Sequence, residues 1–321
     1  MKRTLINNAR IGESVRIEGF LEHIRNTRYM AFLVVRDRSG SVQVTIEKQL
    51  HPEWTEILDS LTVESVVSIE GNLRDNPQVK LGGRELIPAK LEILSLAAPL
   101  PLTKDANIDT RMDYRWLDLR GEKERLLFEV QTCLVSAMRE FLLQREFIEI
   151  HTPKLIAAAS ESGADVFEVG YFDRKAYLAQ SPQFYKQMAM AAGFERIFET
   201  GPVFRAEKSY TNRHTTEFTG FDLEFSYIES FHDVMNLEAE LLTYALERVQ
   251  QQFGEKIERF YGTKVVVPKL PFPVIALPEL YRELEKRYGY HLPQSERGDT
   301  TTEAEQLSYR FSMEEFGHEF L

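Results

Sequence analysis

Residues 196–225 read RIFETGPVFRAEKSYTNRHTTEFTGFDLEF, and their alternation sets how the surrounding chain must be read. In the run 217–227, Phe221, Leu223, Phe225 and Tyr227 alternate with Asp222, Glu224 and Ser226. A period of two places the apolar set on one face of a strand, toward a core, and the carboxylates on the other. Phe218 and Gly220 share the parity of Asp222 and Glu224, so that face offers a ring, a gap without a side chain and two acids. A second β-rich run, 197–206, leads into a polar loop carrying Lys208, Arg213 and His214, and Arg205 and Glu207 share one of its faces. This set suits a nucleoside triphosphate. A guanidinium takes a phosphate in bidentate fashion, a carboxylate or backbone group takes the base amino group, the ring stacks on the base, and the loop neutralises the outer phosphates. A twisted hairpin with a solvated charged turn is the blander account of the same pattern.

The run FRAE, followed by RHTTEF and FDLEF, resembles motif 2 of the class II aminoacyl-tRNA synthetases, and among them the archaeal and eukaryotic style of aspartyl-tRNA synthetase. The resemblance implies an α+β chain, with an N-terminal OB-fold β-barrel followed by a class II antiparallel sheet flanked by helices. It also implies roles. Arg205 would bridge the α-phosphate of ATP and the substrate carboxylate, Glu207 would meet the adenine amino group, and Phe218 would stack on adenine. Arg213 and His214 would handle the outer phosphates, with Thr215 beside them in the ATP site.

Composition sets bounds. At 321 residues, 43% hydrophobic and 28% charged, the chain has the make-up of an ordinary globular protein of about two domains. No apolar stretch reaches the length of a membrane span, and Met1-Lys2-Arg3 leads into a polar segment rather than a signal peptide. The single cysteine, Cys133, excludes an internal disulfide framework and a cysteine-based zinc site, which points to the cytoplasm. A net charge of −11 argues against a polyanion partner, but it is unevenly spread. Residues 1–104 carry 14 Lys+Arg against 13 Asp+Glu, and the remainder 25 against 37. A nucleic-acid contact is therefore expected in the first part.

There, 15–21, 31–36, 42–46, 66–73 and 86–94 read as strands, with turns at 37–40, 75–77 and 82–83 and a helical stretch at 52–61. Five strands with a helix after the third is the order of an OB barrel. By resemblance, Phe32 and Gln43 hold the central anticodon base by stacking and hydrogen bonding, with Arg25 and Arg28 just before them. The turn Asn26-Thr27-Arg28-Tyr29 departs from the glycine-bearing turn usual in the family. Two prolines within 96–113 mark a boundary, giving an anticodon-binding domain over 1–100, a hinge over 101–122 and a catalytic domain over 123–321. The hinge arginines of DTRMDYRWLDLR have two readings, tRNA backbone contacts or the charged first turn of the next helix.

Helical spacing over 123–145 and a strand at 147–150 ending at His151-Thr152-Pro153 resemble motif 1, which in the family forms the dimer interface. Pro153 is the residue carried over to that role, and a homodimer is implied. The loop Ala159-Ser160-Glu161-Ser162-Gly163 holds one acid, and the matching glutamate meets the amino-acid ammonium in relatives. Then Ser181 and Pro182 read as N-cap and first residue of a helix that places Gln183 and Lys186 on one face. A lysine so near a helix N-terminus is electrostatically misplaced. The cost makes sense if it holds an anion, and in aspartyl members the matching lysine pairs with the side-chain carboxylate of aspartate. Asparaginyl relatives lack this SPQ-x-YK pattern.

Helices are expected over 231–260, 277–288 and 302–311, and a strand at 317–321. No glycine-rich motif 3 with its arginine follows Leu223, so the expectation is a fragment of a longer synthetase, with impaired activity and its magnesium ligands outside it. The implied cofactors are ATP and Mg2+. The implied partners are L-aspartate and tRNA(Asp), with tRNA(Asn) as a further candidate and no membrane. Two other readings stand beside this one. A non-catalytic tRNA-binding paralogue would fail to bind ATP, and an asparaginyl or asparagine-synthetase-like enzyme would take a different substrate.

Overall fold

Alternation in the first hundred residues is realised as a closed barrel. The computed structural model describes residues 1–103, 105–160, 166–206, 215–292, 298 and 300–321. It divides into two compact units, Met1–Asp118 and Leu119–Leu321. In the first, β1 (Ser14–Asn26), β2 (Met30–Arg36), β3 (Ser41–Glu47), β4 (Val66–Asp75) and β5 (Arg84–Ser95) close in the order β1-β2-β3-β5-β4. Helix α1 (Thr55–Ser60) lies between β3 and β4 in sequence. Every second residue points inward, so that Leu21, Leu33, Val44, Ile46, Ile69 and Leu86 are fully buried. The first strand runs five residues past its expected end. A bulge between Leu21 and His23 breaks the period of two there, while pairing with β2 continues to Asn26.

Two glycines let the strands close. A Cβ on Gly19 would sit 2.3 Å from the Arg36 carbonyl oxygen, and one on Gly71 would sit 2.3 Å from that of Ile87. Asp37 organises the β2–β3 turn: Oδ1 accepts from Ser39 N at 2.7 Å and Gly40 N at 3.2 Å, while Oδ2 accepts from Ile6 N at 2.8 Å. After the barrel, Asn107 caps α2 (Ile108–Asp113) by accepting from Thr110 N at 2.9 Å. Within α3 (Arg115–Asp118), the buried Asp118 accepts from Arg111 Nε at 2.7 Å and from Arg115. The Arg111 hydrogen bond is the main reason its carboxyl is held below the usual carboxylate range. Two of the three hinge arginines, Arg111 and Arg115, thus bind an internal carboxylate.

The second unit contains two small sheets. In one, β10 (Arg196–Phe204) and β11 (Glu217–Phe225) pair antiparallel, and β6 (Ile148–Glu149) adds to β10 in parallel. In the other, β7 (Leu155–Ile156), β9 (Arg174–Leu178) and β8 (Glu168–Tyr171) form an antiparallel sheet in that order. The apolar face of the β10–β11 hairpin sets Phe198, Phe221, Leu223 and Phe225 against Phe141 and Leu142 of α4 (Glu122–Leu143) and Leu241 of α6 (Phe231–Tyr261). Phe198 is fully buried; truncating such a residue to alanine costs about 3–5 kcal/mol. Ser230 and Asp233 cap α6 reciprocally. Between the sheets in sequence lies α5 (Gln183–Ala191), and α7 (Leu277–Tyr288) and α8 (Thr302–Glu315) share a small core around Leu284 and Phe311. The strand expected at 317–321 does not form. His318 instead folds back, its Nε2 lying 2.7 Å from Lys269 O, and its carbonyl accepts from Ser312 Oγ at 2.6 Å.

The barrel's dependence on close strand approach is testable. Gly19→Ala should cost about 1–3 kcal/mol through overpacking, read as a lower urea midpoint; an unchanged midpoint would show that β1 and β2 have room to part.

Candidate active site

The site is built on the second face of the β10–β11 hairpin. Cross-strand register pairs Glu199 with Asp222, Gly201 with Gly220, and Val203 with Phe218. All six line a cavity of about 310 Å³, with Lys154, Gln180, Ser181 and Arg205 among its other walls. The two facing glycines leave its floor as bare backbone. Side chains rise only toward the ends, Phe218 and Arg205 at one, Asp222 and Glu199 at the other. A Cβ on Gly201 would meet Glu199 Oε1 and Lys154 Cε at 3.4 Å, ordinary contact with the ends of two long side chains.

At the first end, the Arg205 guanidinium carbon lies 5.6 Å from the centroid of the Phe218 ring, which is 38% exposed. Arg205 N donates to Thr216 O at 3.0 Å. Its buried Nε has no hydrogen-bond partner among the described residues. Leaving such a donor unmade costs about 1–3 kcal/mol, so an acceptor is called for, and on a cation the fitting acceptor is anionic. Glu207, Arg213 and His214 lie outside the described residues, as does Glu161. Thr215 is exposed, its hydroxyl donates to Glu217 O at 3.0 Å, and it is not part of the cavity wall.

At the other end, Ser181 Oγ accepts from Gln183 N at 3.3 Å, but α5 begins at Gln183 with Pro182 as its N-cap, one residue later than the expected Ser181 cap and Pro182 start. One turn on, Lys186 is 7% exposed. Its ammonium pairs with Asp222, lies 3.2 Å from Glu224 Oε2, and donates to Leu223 O at 3.4 Å. Burial pulls its pKa down, but the hydrogen bonds and charges of Asp222 and then Glu224 outweigh that and hold it above the ordinary lysine value. The anion that justifies a lysine here is thus supplied by the hairpin itself. Two carboxylates against one ammonium leave a net negative site, ready for a second cation. Gln183 is partly buried and outside the cavity wall.

Glu199 and Lys154 were not legible as a pair, because they lie 45 residues apart. Glu199, 3% exposed, accepts from Thr152 N at 2.8 Å, Thr152 Oγ1 at 2.7 Å and Lys154 Nζ at 2.9 Å. Burial raises its pKa, and the Thr152 backbone hydrogen bond, then those from Lys154 and the Thr152 hydroxyl, more than offset this and leave it lowered. The exposed Pro153 sits between the two donors. On the barrel, Arg25 pairs with Phe32 and Phe32 with Thr45, on the outer face. The Arg25 guanidinium lies 5.8 Å from the Phe32 centroid, and Gln43 Nε2 donates to Thr45 Oγ1 at 3.1 Å. Among the described residues, no group of three or more His, Cys, Asp or Glu side chains is placed to hold a metal ion.

A class II tRNA synthetase fold carrying a small nucleic-acid-binding barrel is the class these features define. The profile of class II tRNA synthetases (D, K and N) matches residues 107–321, and that of the OB-fold nucleic acid binding domain matches 15–94. The chain belongs to this class II synthetase family. It is 43% identical over 302 residues to an aspartate–tRNA(Asp/Asn) ligase of Methanopyrus kandleri, covering 92% of this chain and 69% of that protein. To an aspartate–tRNA(Asp) ligase of Pyrococcus abyssi it is 39% identical, covering 96% of this chain and 70% of that protein. Among solved structures, asparaginyl-tRNA synthetase from Pyrococcus horikoshii complexed with asparaginyl-adenylate superposes with a TM-score of 0.87 at 30% identity, over 97% of this chain and 72% of that one.

The buried Glu199 network carries a pH signature. A carboxylate with a lowered folded pKa gives stability that is complete above its unfolded value, about 4.3, and lost as pH falls through the folded value. Glu199→Gln should therefore cost about 2–3 kcal/mol at pH 7 and flatten the loss of stability below about pH 4.5. Denaturant titrations at pH 7 and pH 4 measure both, and equal acid sensitivity in variant and parent contradicts the assignment.

Proposed function

We propose that this chain is an aspartate–tRNA ligase, and that the cavity between Arg205 and Asp222, with Lys186 paired to Asp222, holds ATP and L-aspartate side by side. The observation that carries this reading is the buried Lys186 paired with Asp222 of the cavity wall, together with an arginine at the other end whose Nε has no acceptor among the described residues, beside an open ring. In the first step, the α-carboxylate of aspartate attacks the α-phosphate of ATP. An oxygen–phosphorus bond forms, the bond to the pyrophosphate oxygen breaks, and aspartyl-adenylate remains. In the second, the terminal ribose hydroxyl of the tRNA attacks the acyl carbon and AMP leaves. No covalent enzyme intermediate is needed, so catalysis rests on positioning and charge neutralisation.

In this reading Arg205 neutralises the α-phosphate as the in-line displacement develops charge there, and Phe218 stacks on adenine, with Glu207, Arg213, His214 and Thr215 assigned to the same nucleotide. The side-chain carboxylate of aspartate takes the Lys186 ammonium. Asp222, released, then accepts the substrate ammonium, with Glu161 and Gln183 as further contacts. Asparagine has no charge with which to take Lys186 over, which is how the site selects between the two amino acids. Glu199 and Lys154 are positioning residues that fix the floor. The described residues offer no donor cluster that fits Mg2+, so Mg2+ is taken to accompany the triphosphate, and no step is assigned to it.

On the barrel, Arg25, Phe32 and Gln43 receive the anticodon of tRNA(Asp), and tRNA(Asn) remains a second candidate substrate. Pro153 lies among the exposed apolar residues Ile148 and Leu155, which supports a homodimer interface along this edge. One cysteine and no helix among the described residues long and apolar enough to cross a membrane fit the cytoplasm. Lys186→Ala should weaken binding of a non-hydrolysable aspartyl-adenylate analogue at least a hundredfold, or about 3 kcal/mol, in a calorimetric titration of the whole chain. Binding with unchanged affinity would refute the substrate assignment.

A further inference from the structure

Lys154 does more than fix the cavity floor. Its ammonium donates to Glu199 Oε1 at 2.9 Å and to Thr152 Oγ1 at 3.1 Å. An ammonium carries three N–H groups, so these two bonds, made to its partners among the described residues, leave one for a ligand. The ion pair also turns its cation to the open side: the Lys154 side chain is 22% exposed and that of Glu199 4%. Glu199 does not take up the whole of that charge, because Thr152 gives it two further hydrogen bonds, from N at 2.8 Å and from Oγ1 at 2.7 Å.

Gly201 shows where this ammonium stands. Both residues line the cavity, and the point that a Cβ on Gly201 would occupy lies 3.5 Å from Lys154 Nζ. A ligand atom resting on the floor at that point is therefore within reach of the ammonium. Register pairs Gly201 with Gly220, one two-residue step from the Glu199–Asp222 pair and one from the Val203–Phe218 pair. Each step is about 6.6 Å along the strand. Lys154 Nζ thus stands between Asp222, the acceptor assigned to the substrate ammonium, and Arg205, the cation assigned to the α-phosphate. In an amino acid the α-carboxylate is bonded to the carbon that bears the ammonium. With the ammonium on Asp222, a carboxylate directed at the α-phosphate comes over Gly201. There it needs a cation, as the side-chain carboxylate needs Lys186.

We propose that Lys154 is a substrate-binding residue whose third N–H holds one oxygen of the aspartate α-carboxylate and leaves the other facing the α-phosphate. The proposal rests on the reading of this cavity as the aspartate and ATP site. Lys186, Asp222 and Lys154 then meet the side-chain carboxylate, the ammonium and the α-carboxylate, which orients the nucleophile for in-line attack. The test is a calorimetric titration of the whole chain with L-aspartate and with its α-amide. The amide keeps the side-chain carboxylate and the ammonium but carries no charge on the α-carboxyl group. Lys154→Met should weaken aspartate binding about thirtyfold and α-amide binding about threefold, because a hydrogen bond to a charged group is worth more than a neutral one. The double variant Lys154→Met/Glu199→Gln leaves no buried carboxylate without its cation; it should lose the same preference, and it decides the matter where the single variant does not fold. Equal weakening of both ligands, or of neither, refutes the proposal and leaves the cavity reading standing. Weakened ATP binding with the preference for aspartate retained would assign the ammonium to phosphate and overturn the proposal as well. If the parent chain binds no aspartate, the cavity reading itself falls.

Discussion

A buried ammonium held between two carboxylates of one strand is the interaction on which the site depends. Lys186 reaches β11 from the second turn of α5, and Asp222 and Glu224 reach it from alternate positions of that strand. Each charge would be costly alone in this setting, and together they fix the helix against the hairpin. The arrangement is also unfinished, since the carboxylates outnumber the ammonium. A ligand that brings one carboxylate and one ammonium can enter by exchanging partners, without leaving any buried charge unmatched. An α-amino acid with an acidic side chain has those groups.

The strand period then connects this chemistry to the fold. The residues between the site positions of β11 are Phe221, Leu223 and Phe225, and they belong to the core built with α4 and α6. A one-residue slip of register would exchange the two faces and bury the carboxylates. The core therefore holds the site in register, and the Glu199 network does the same for β10 by tying the segment around Pro153 to the cavity floor. If Pro153 lies at a subunit interface, that floor is within two residues of it.

Much of this was legible in the sequence because it is periodic or local. The two faces of the β10–β11 hairpin, the five barrel strands and the Asp37 turn all follow from spacing and from residue types with short-range preferences. Three things were not legible, each for a physical reason. The far end of β1 was hidden because the Leu21–His23 bulge interrupts alternation without ending the pairing. The Glu199–Lys154–Thr152 network was hidden because tertiary proximity of charges leaves no periodic trace. The strand expected at 317–321 does not form: the His318 ring meets Lys269 O, a contact 49 residues away in sequence, and its carbonyl accepts from Ser312. Sequence also pointed to Lys186 as an anion binder without showing that the protein supplies anions of its own.

The most direct measurement is a crystal structure of the chain with a non-hydrolysable aspartyl-adenylate analogue. The account predicts the ligand's side-chain carboxylate on Lys186 Nζ, its ammonium on Asp222, its phosphate on Arg205 Nε and its adenine against Phe218. A ligand lodged elsewhere, with Lys186 still closed on Asp222 and Glu224 and Arg205 Nε without an acceptor, would contradict it.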